Sequence, residues 1–143
     1  MTPYNAAFFG LYEKVFLQAK EDLGEKKSLE FMTKLFSRAL RPAYDAMGFK
    51  KGNHEDFARV VKERDDGVGI IVAFPLVTTD KIIYQFHTDP FPNLKGAVDA
   101  GVLDDCYLSV KISHILGDGY GYTTTKHLWN GDPYSEHIIC KKE

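Results

Sequence analysis

The sequence predicts an α+β fold in which N-terminal helices pack on one face of an antiparallel sheet of about four strands. Through residues 1–66, apolar side chains recur at three- and four-residue spacing, as they do along one face of a helix. From residue 69 onwards, several apolar segments instead have the length and spacing of strands that tight turns connect. Helices and strands segregated along a chain are typical of the α+β class.

Length, charge and cysteine content narrow the class of protein. A chain of 143 residues has the usual length of one domain, so we expect a single domain over residues 1–143. The formal net charge of −2 gives no general attraction to nucleic acid or to an anionic membrane. No apolar run reaches the roughly 20 residues of a membrane span, and the N-terminus does not resemble a signal peptide. Two cysteines without close spacing predict no disulfide framework, and we expect a cytoplasmic protein without a cofactor.

Two long helices are predicted first. Thr2 is predicted to cap a helix whose apolar stripe runs to Gly24. Ser28 is predicted to cap a second helix that ends at Gly48, with a kink or a restart at Pro42.

A third, shorter helix is predicted to start at Asn53 and to end at residues 65–67. Asn53 and Asp56 resemble an N-cap pair. A strand remains the alternative because Val60 and Val61 are β-branched.

Four strands are predicted near residues 69–77, 81–88, 121–129 and 134–141. The first and second form one hairpin, and the third and fourth form another. Pro75 cannot donate a ladder hydrogen bond, so the first strand is predicted to lie at an edge or to carry a bulge there.

Two further helices are predicted between the hairpins. Asn93 is predicted to cap a short helix that Gly101 closes. The segment 106–116 has both strand-like alternation and a helical face. The acidic residues Asp104–Asp105 before it and Gly117 after it favour a helix.

Four of the five histidines, His87, His114, His127 and His137, fall within residues 87–137. If residues 131–133 form the turn of the last hairpin, His127 lies opposite His137 on one face. An even-numbered turn would place the two histidines on opposite faces. We predict that His127, Ser135 and His137 project into one cavity walled by the 106–116 helix, with Thr125 and Trp129 along its floor.

The run from Thr125 to His137 resembles the C-terminal signature of the L-2-amino-thiazoline-4-carboxylic acid hydrolase-like family. Cys106 lies close to the position of a family cysteine at the start of a helix.

The sequence departs from the family pattern at several positions, since Ser109 stands in place of an aspartate and Ser135 in place of a cysteine. His137 stands in place of a phenylalanine, and Thr124 and His127 also replace family residues. The resemblance implies hydrolysis of a small heterocyclic amidine.

Ring opening of such an amidine needs a nucleophile, or an activated water, and a proton donor. Cys106, His127 and His137 are the predicted catalytic residues, because a neighbouring histidine can lower the pKa of a thiol. Alternatives are a small buried hydrophobe for Cys106 and a plain polar contact for the histidine pair. Zinc held by these histidines with His87 or His114 is a further alternative, which no ligand spacing supports. The predicted substrate-binding residues are His87, Ser109, His114, Thr125, Trp129 and Ser135.

Two functions therefore remain open from the sequence. One is a hydrolase acting on a small heterocycle, and the other is a non-enzymatic domain that binds a small molecule on the same scaffold. The edges and the uncovered face of a four-stranded sheet also lead us to expect a homodimer.

Overall fold

The computed structural model describes residues 2–143, which form four α-helices and one four-stranded antiparallel sheet, so the predicted α+β class is confirmed. None of the helices in this part of the chain is long and apolar enough to cross a membrane. The helices are α1 (Ala6–Leu23), α2 (Glu25–Met47), α3 (His54–Gly67) and α4 (Ala100–Ile115). The strands are β1 (Val72–Val77), β2 (Lys81–Phe86), β3 (Tyr120–Lys126) and β4 (Ser135–Lys141).

The first two helices start at other residues than predicted. Asn5 caps α1 through its side chain, so the predicted cap at Thr2 is wrong. Gly24 ends α1 with a φ of 84°, and α2 begins at the next residue. Ser28 therefore lies inside α2, buried, and the helix continues through Pro42 without restarting.

Asn53 caps α3 as predicted, since its side chain accepts a hydrogen bond from the backbone N–H of Asp56. The helix predicted at Asn93 is wrong, because only a single 3₁₀ turn, Pro92–Leu94, forms there. The backbone and side-chain N–H groups of Asn93 both donate to the carboxylate of Glu13 on α1. Asn93 therefore fastens this loop to α1 instead of starting a helix.

Helix α4 is the central helix of the fold. Asp99 caps it, so it begins before the predicted residue 106, and Gly101 lies in its first turn rather than ending a helix. Tyr107 touches Phe36 of α2 on one side and Phe86 of β2 on the other. The buried apolar residues of α4 include Leu103, Cys106, Leu108, Val110, Ile112 and Ile115.

The sheet has the order β1-β2-β4-β3, with every neighbouring pair antiparallel. β1 lies at an edge, and its register shifts between Ala73 and Leu76, so both features predicted from Pro75 are present. Alternate residues of the two central strands point to the helices and are buried there: Ile82, Tyr84, Phe86, Ser135, His137 and Ile139.

The register of the last hairpin differs from the prediction. Thr124, not His127, pairs with His137, and Lys126 is the last residue of β3 in the ladder. His127 follows the strand, where its backbone N–H donates to the side chain of Asp132. The connection is longer than the predicted three-residue turn because residues 127–134 form their own hydrogen-bonded loop.

The N-terminal residues lie against the turn between α3 and β1. The backbone N–H of Asn5 donates to the carbonyl of Val68, 3.1 Å away. Gly69 has a φ of 81°, and a Cβ atom there would overlap the backbone of Pro3 and Tyr4. Only glycine allows the N-terminal segment to approach this closely.

We expect Gly69→Ala to lower the free energy of unfolding more than Gly96→Ala does. Gly96 has a φ of 89° with open space around it, so its substitution carries only the backbone cost, about 1–2 kcal/mol. Gly69→Ala adds the overlap with Pro3. Urea denaturation of both variants measures the difference. Equal losses in the free energy of unfolding would show that the N-terminal segment moves away from residue 69 without cost.

Candidate functional site

Two neighbouring cavities lie between the helices and the sheet. The aromatic pocket has a volume of about 50 Å³ and is lined by fourteen residues, among them Phe8, Tyr12, Phe36, Phe91, Lys111 and Asp65. The histidine cavity has a volume of about 10 Å³, and its lining includes Asp104, His127, Trp129, Ser135 and His137. The two cavities share Phe86, Pro90, Phe91 and Tyr107, so one layer of side chains separates them.

A buried group of three polar side chains, the lysine cluster, borders the aromatic pocket. It consists of Lys111 from α4, Asp65 from α3 and Tyr84 from β2. Lys111 Nζ lies 3.2 Å from Asp65 Oδ1 and 2.9 Å from the Tyr84 hydroxyl, which itself donates to Asp65 Oδ2. Lys111 and Asp65 are only 4% and 5% exposed. Each member therefore finds its partners inside the protein.

Aromatic rings surround the ammonium group of this cluster. The rings of Tyr84, Phe86 and Tyr107 have centroids 5.3–5.5 Å from Lys111 Nζ, within the range of cation–π contacts. Burial lowers the pKa of Lys111, and Asp65 opposes this by favouring the charged amine. Burial also raises the pKa of Tyr84 well above its usual value, so that hydroxyl keeps its proton.

In the histidine cavity, His127 is held at both ring nitrogens. Its Nδ1 lies 3.0 Å from the backbone nitrogen of Trp129 and accepts that N–H, so the ring proton is on Nε2. Nε2 lies 2.8 Å from Asp104 Oδ2, and the hydroxyl of Tyr107 donates to the other carboxylate oxygen at 2.6 Å. The hydrogen bond to Asp104 raises the pKa of His127 despite the burial of the ring.

His137 has the opposite electrostatic environment. It is 1% exposed, its Nδ1 lies 2.9 Å from Thr124 Oγ1, and its Nε2 has no hydrogen-bond partner among residues 2–143. Burial lowers the pKa of His137 to about 4, so the ring is neutral near pH 7. The adjoining volume of about 10 Å³ is close to the minimum that one water needs.

The structure brings four of the predicted site residues to the histidine cavity: His127, His137, Ser135 and Trp129. Trp129 Nε1 donates to Asp89, and the Ser135 hydroxyl accepts the backbone N–H of Leu128. Thr125 was predicted to lie on the cavity floor, and this is wrong, because the register places Thr125 on the opposite face of the sheet. Its hydroxyl donates to Glu136, 2.7 Å away.

Cys106 does not join the histidines. Its thiol lies on the α2 side of α4, with Sγ 3.5 Å from the carbonyl oxygen of Leu29 and 3.7 Å from that of Val102. Burial raises the pKa of Cys106, which disfavours the thiolate that a nucleophile requires. This geometry is that of the alternative expected from the sequence, a small buried side chain.

Three other predicted residues lie outside both cavities. His87 is exposed and contacts Gln85, Ser109 bonds back to the carbonyl of Asp105, and His114 pairs with Asp45 at 2.7 Å. Nor, within residues 2–143, do any three His, Cys, Asp or Glu side chains form a group that could hold a metal ion.

Sequence reasoning missed the residues that organise both cavities, namely Lys111, Asp65, Asp104 and Tyr107. The sequence predicts only a helix start for Asp104 and part of a helix end for Asp65. Lys111 carried a usable signal, because it is the only lysine of α4, a helix whose apolar residues fall on nearly all of its sides. Such a charge must find a buried partner.

We expect the free energy of unfolding to fall with acidification because of His137. Its folded pKa of about 4 lies below the ordinary value of 6.5, so the unfolded state takes up a proton first as the pH falls from 6.5 to 4. A shift of this size corresponds to about 3 kcal/mol across that interval. His137→Phe removes this proton uptake, so wild type should lose about that much more stability than the variant.

Urea denaturation of both proteins at pH 7 and near pH 4 measures this difference. The charged groups that influence His137, namely Asp104, His127, Lys111 and Glu136, are present in both proteins, so most of their effect cancels. Parallel pH profiles would contradict the assignment of His137 as a buried neutral imidazole.

Comparison with known proteins assigns no family to the chain. No family model matches it, and no curated protein sequence matches it. The resemblance to the L-2-amino-thiazoline-4-carboxylic acid hydrolase-like family stays a prediction, and what the site can do follows from the geometry of the two cavities.

Proposed function

We propose that this protein binds a small, largely apolar molecule in the aromatic pocket. The observation that carries the proposal is the buried Lys111–Asp65 pair of the lysine cluster, which lies at a pocket lined mostly by apolar and aromatic side chains. A pocket with apolar walls and a few convergent polar groups is the usual form of a small-molecule site. Its polar groups orient a ligand, while its rings supply most of the contact area.

A structural ion pair alone would not require a pocket beside it. Replacing a buried pair with apolar side chains is often neutral or stabilising, so such a pair is weak support for stability. Arg64 adds a second cation, with its guanidinium 5.5 Å from the ring of Phe8 at the same pocket. The lining thus combines two cations and one carboxylate with aromatic rings, which suits a ligand with one polar end.

Filling the pocket should weaken binding. Val68 lines the aromatic pocket and is half-buried, so Val68→Phe places a ring in the space a ligand would occupy. With butan-1-ol as the probe, we expect a Kd in about the millimolar range for wild type and at least about a tenfold weaker Kd for the variant. Nuclear magnetic resonance titration of backbone amides measures both.

Val102→Phe is the matched control, since Val102 is 45% exposed on α4 and lines neither cavity. It should bind the probe as wild type does. Amide shifts in wild type that Val68→Phe leaves unchanged would place the alcohol elsewhere and refute the pocket as the binding site.

A second candidate function is hydrolysis of a small heterocycle, as the sequence resemblance implies. The histidine cavity favours it, because a neutral imidazole with a free Nε2 lies beside a His–Asp pair and next to space for one water. In this proposal His137 takes a proton from the attacking water and then gives that proton to the leaving nitrogen, while His127 stays hydrogen-bonded to Asp104. Cys106 has no part in it, since its thiol faces α2.

We expect any turnover of L-2-amino-thiazoline-4-carboxylic acid to depend on His137 and not on the thiol. Loss of a general base lowers rates by about 10²–10⁴-fold, so His137→Phe should abolish measurable turnover. Cys106→Ala should leave it intact. Loss of turnover in the cysteine variant would instead support a thiol nucleophile, and no turnover in wild type would leave only the binding function.

The homodimer and the cytoplasmic location predicted from the sequence stay predictions. The sheet supports the homodimer, because its edges are β1 and β3. Ile71, just before β1, is 46% exposed, and Leu76, within β1, is 36% exposed. Apolar groups at a strand edge are commonly covered by association.

A further inference from the structure

Lys111 lines the aromatic pocket, and its amine lies among the groups that amine chemistry needs. Its Nζ lies 2.9 Å from the hydroxyl of Tyr84, a proton donor, and 3.2 Å from the carboxylate of Asp65, a proton acceptor. Lys111 and Asp65 both line the pocket. Amine, acid and base therefore converge beside a pocket that is lined mostly by apolar and aromatic side chains.

A surface pair in the same chain shows how unusual this arrangement is. Lys62 and Asp66 also form an ion pair, at 3.0 Å, but their side chains are 53% and 51% exposed on α3. Solvent keeps such a lysine hydrated and charged. Lys111 lacks that solvent, and burial in this setting is what makes lysines nucleophilic.

We propose that Lys111 condenses reversibly with a short aliphatic aldehyde held in the aromatic pocket and forms an imine through Nζ. The proposal rests on the aromatic pocket being a ligand site and adds the chemical class of the ligand.

The condensation balances with the groups present. The ammonium of Lys111 first gives a proton to Asp65. The free electron pair of Nζ then forms the C–N bond to the carbonyl carbon, and the proton released from nitrogen reaches the carbonyl oxygen, with Tyr84 as relay. Asp65 returns its proton to the resulting hydroxyl, the C–O bond breaks, and one water leaves.

The product is a protonated imine with the same single positive charge as the ammonium it replaces. Asp65 is again a carboxylate, so the ion pair with Nζ persists after the reaction. Apolar walls also disfavour the reverse step, because hydrolysis of the imine needs water in the pocket. Burial lowers the pKa of Lys111, which raises the fraction of neutral amine and supports the first step.

The size of the pocket limits the aldehyde. Its volume is about 50 Å³. At about 10–15 Å³ for each water-sized group, this holds roughly four groups. An unbranched aldehyde such as butanal matches that length, with its chain against the rings and its carbonyl toward Lys111.

Reductive trapping tests the proposal. The protein is mixed with butanal and cyanoborohydride, which fixes any imine as a butyl-lysine, and peptide mapping by mass spectrometry follows each lysine. We expect Lys111 to be labelled at least about tenfold faster than Lys62, because the Lys111 amine is desolvated and the bound carbonyl is held next to it. Val68→Phe should remove the labelling of Lys111 and leave that of Lys62 unchanged, and Tyr84→Phe should slow the labelling of Lys111.

Butan-1-ol separates this proposal from the binding function on which it rests. Alcohol binding in the pocket with selective labelling of Lys111 supports both. Alcohol binding with Lys111 labelled no faster than Lys62 overturns the imine and keeps the pocket as a ligand site. Neither binding nor selective labelling overturns both. Because the comparison of the two lysines is made within wild type, it holds even if a variant does not fold.

Discussion

The buried pairing of Lys111 with Asp65 is the constraint on which the interior of this fold depends. It joins α4 to α3, and Tyr84 adds β2 to the same hydrogen-bonded group. Two charges taken out of water are stable only when geometry and additional hydrogen bonds compensate for the lost solvation. The rings of Tyr84, Phe86 and Tyr107 enclose the ammonium, so the helices and the sheet must meet in one arrangement.

One face of α4 serves both cavities. Asp104, Tyr107 and Lys111 follow one another at spacings of three and four residues, which places them in a row on that face. Asp104 and Tyr107 hold His127, while Lys111 faces the aromatic pocket. Cys106 lies two positions from Asp104, on the other side of the helix against α2. A thiol–histidine pair was therefore excluded by helical geometry once α4 packed between α2 and the sheet.

Periodicity predicted the fold class and the strands, because burial of one face dictates residue spacing. The missing N–H of Pro75 predicted an edge or a bulge in the first strand. Helix starts were less predictable, since Asn5 and Asp99 competed with other candidate caps nearby. The register of the last hairpin depends on a hydrogen-bonded loop that no spacing reveals. The pairing of Lys111 with Asp65 could not be predicted for another reason. Its charges lie 46 residues apart in sequence, and only tertiary packing brings them together.

The two cavity histidines show why residue type alone did not identify the chemistry of the site. His127 has a carboxylate partner and His137 has none, so their pKa values shift in opposite directions within one cavity. Protonation of His127 at Nδ1 would break its hydrogen bond from the backbone N–H of Trp129. That bond holds His127 as a donor from Nε2 to Asp104. His137 keeps a neutral ring with its Nε2 uncommitted among residues 2–143. Of the two rings, only that of His137 therefore keeps a nitrogen that a molecule entering the cavity could meet without displacing a hydrogen bond within residues 2–143.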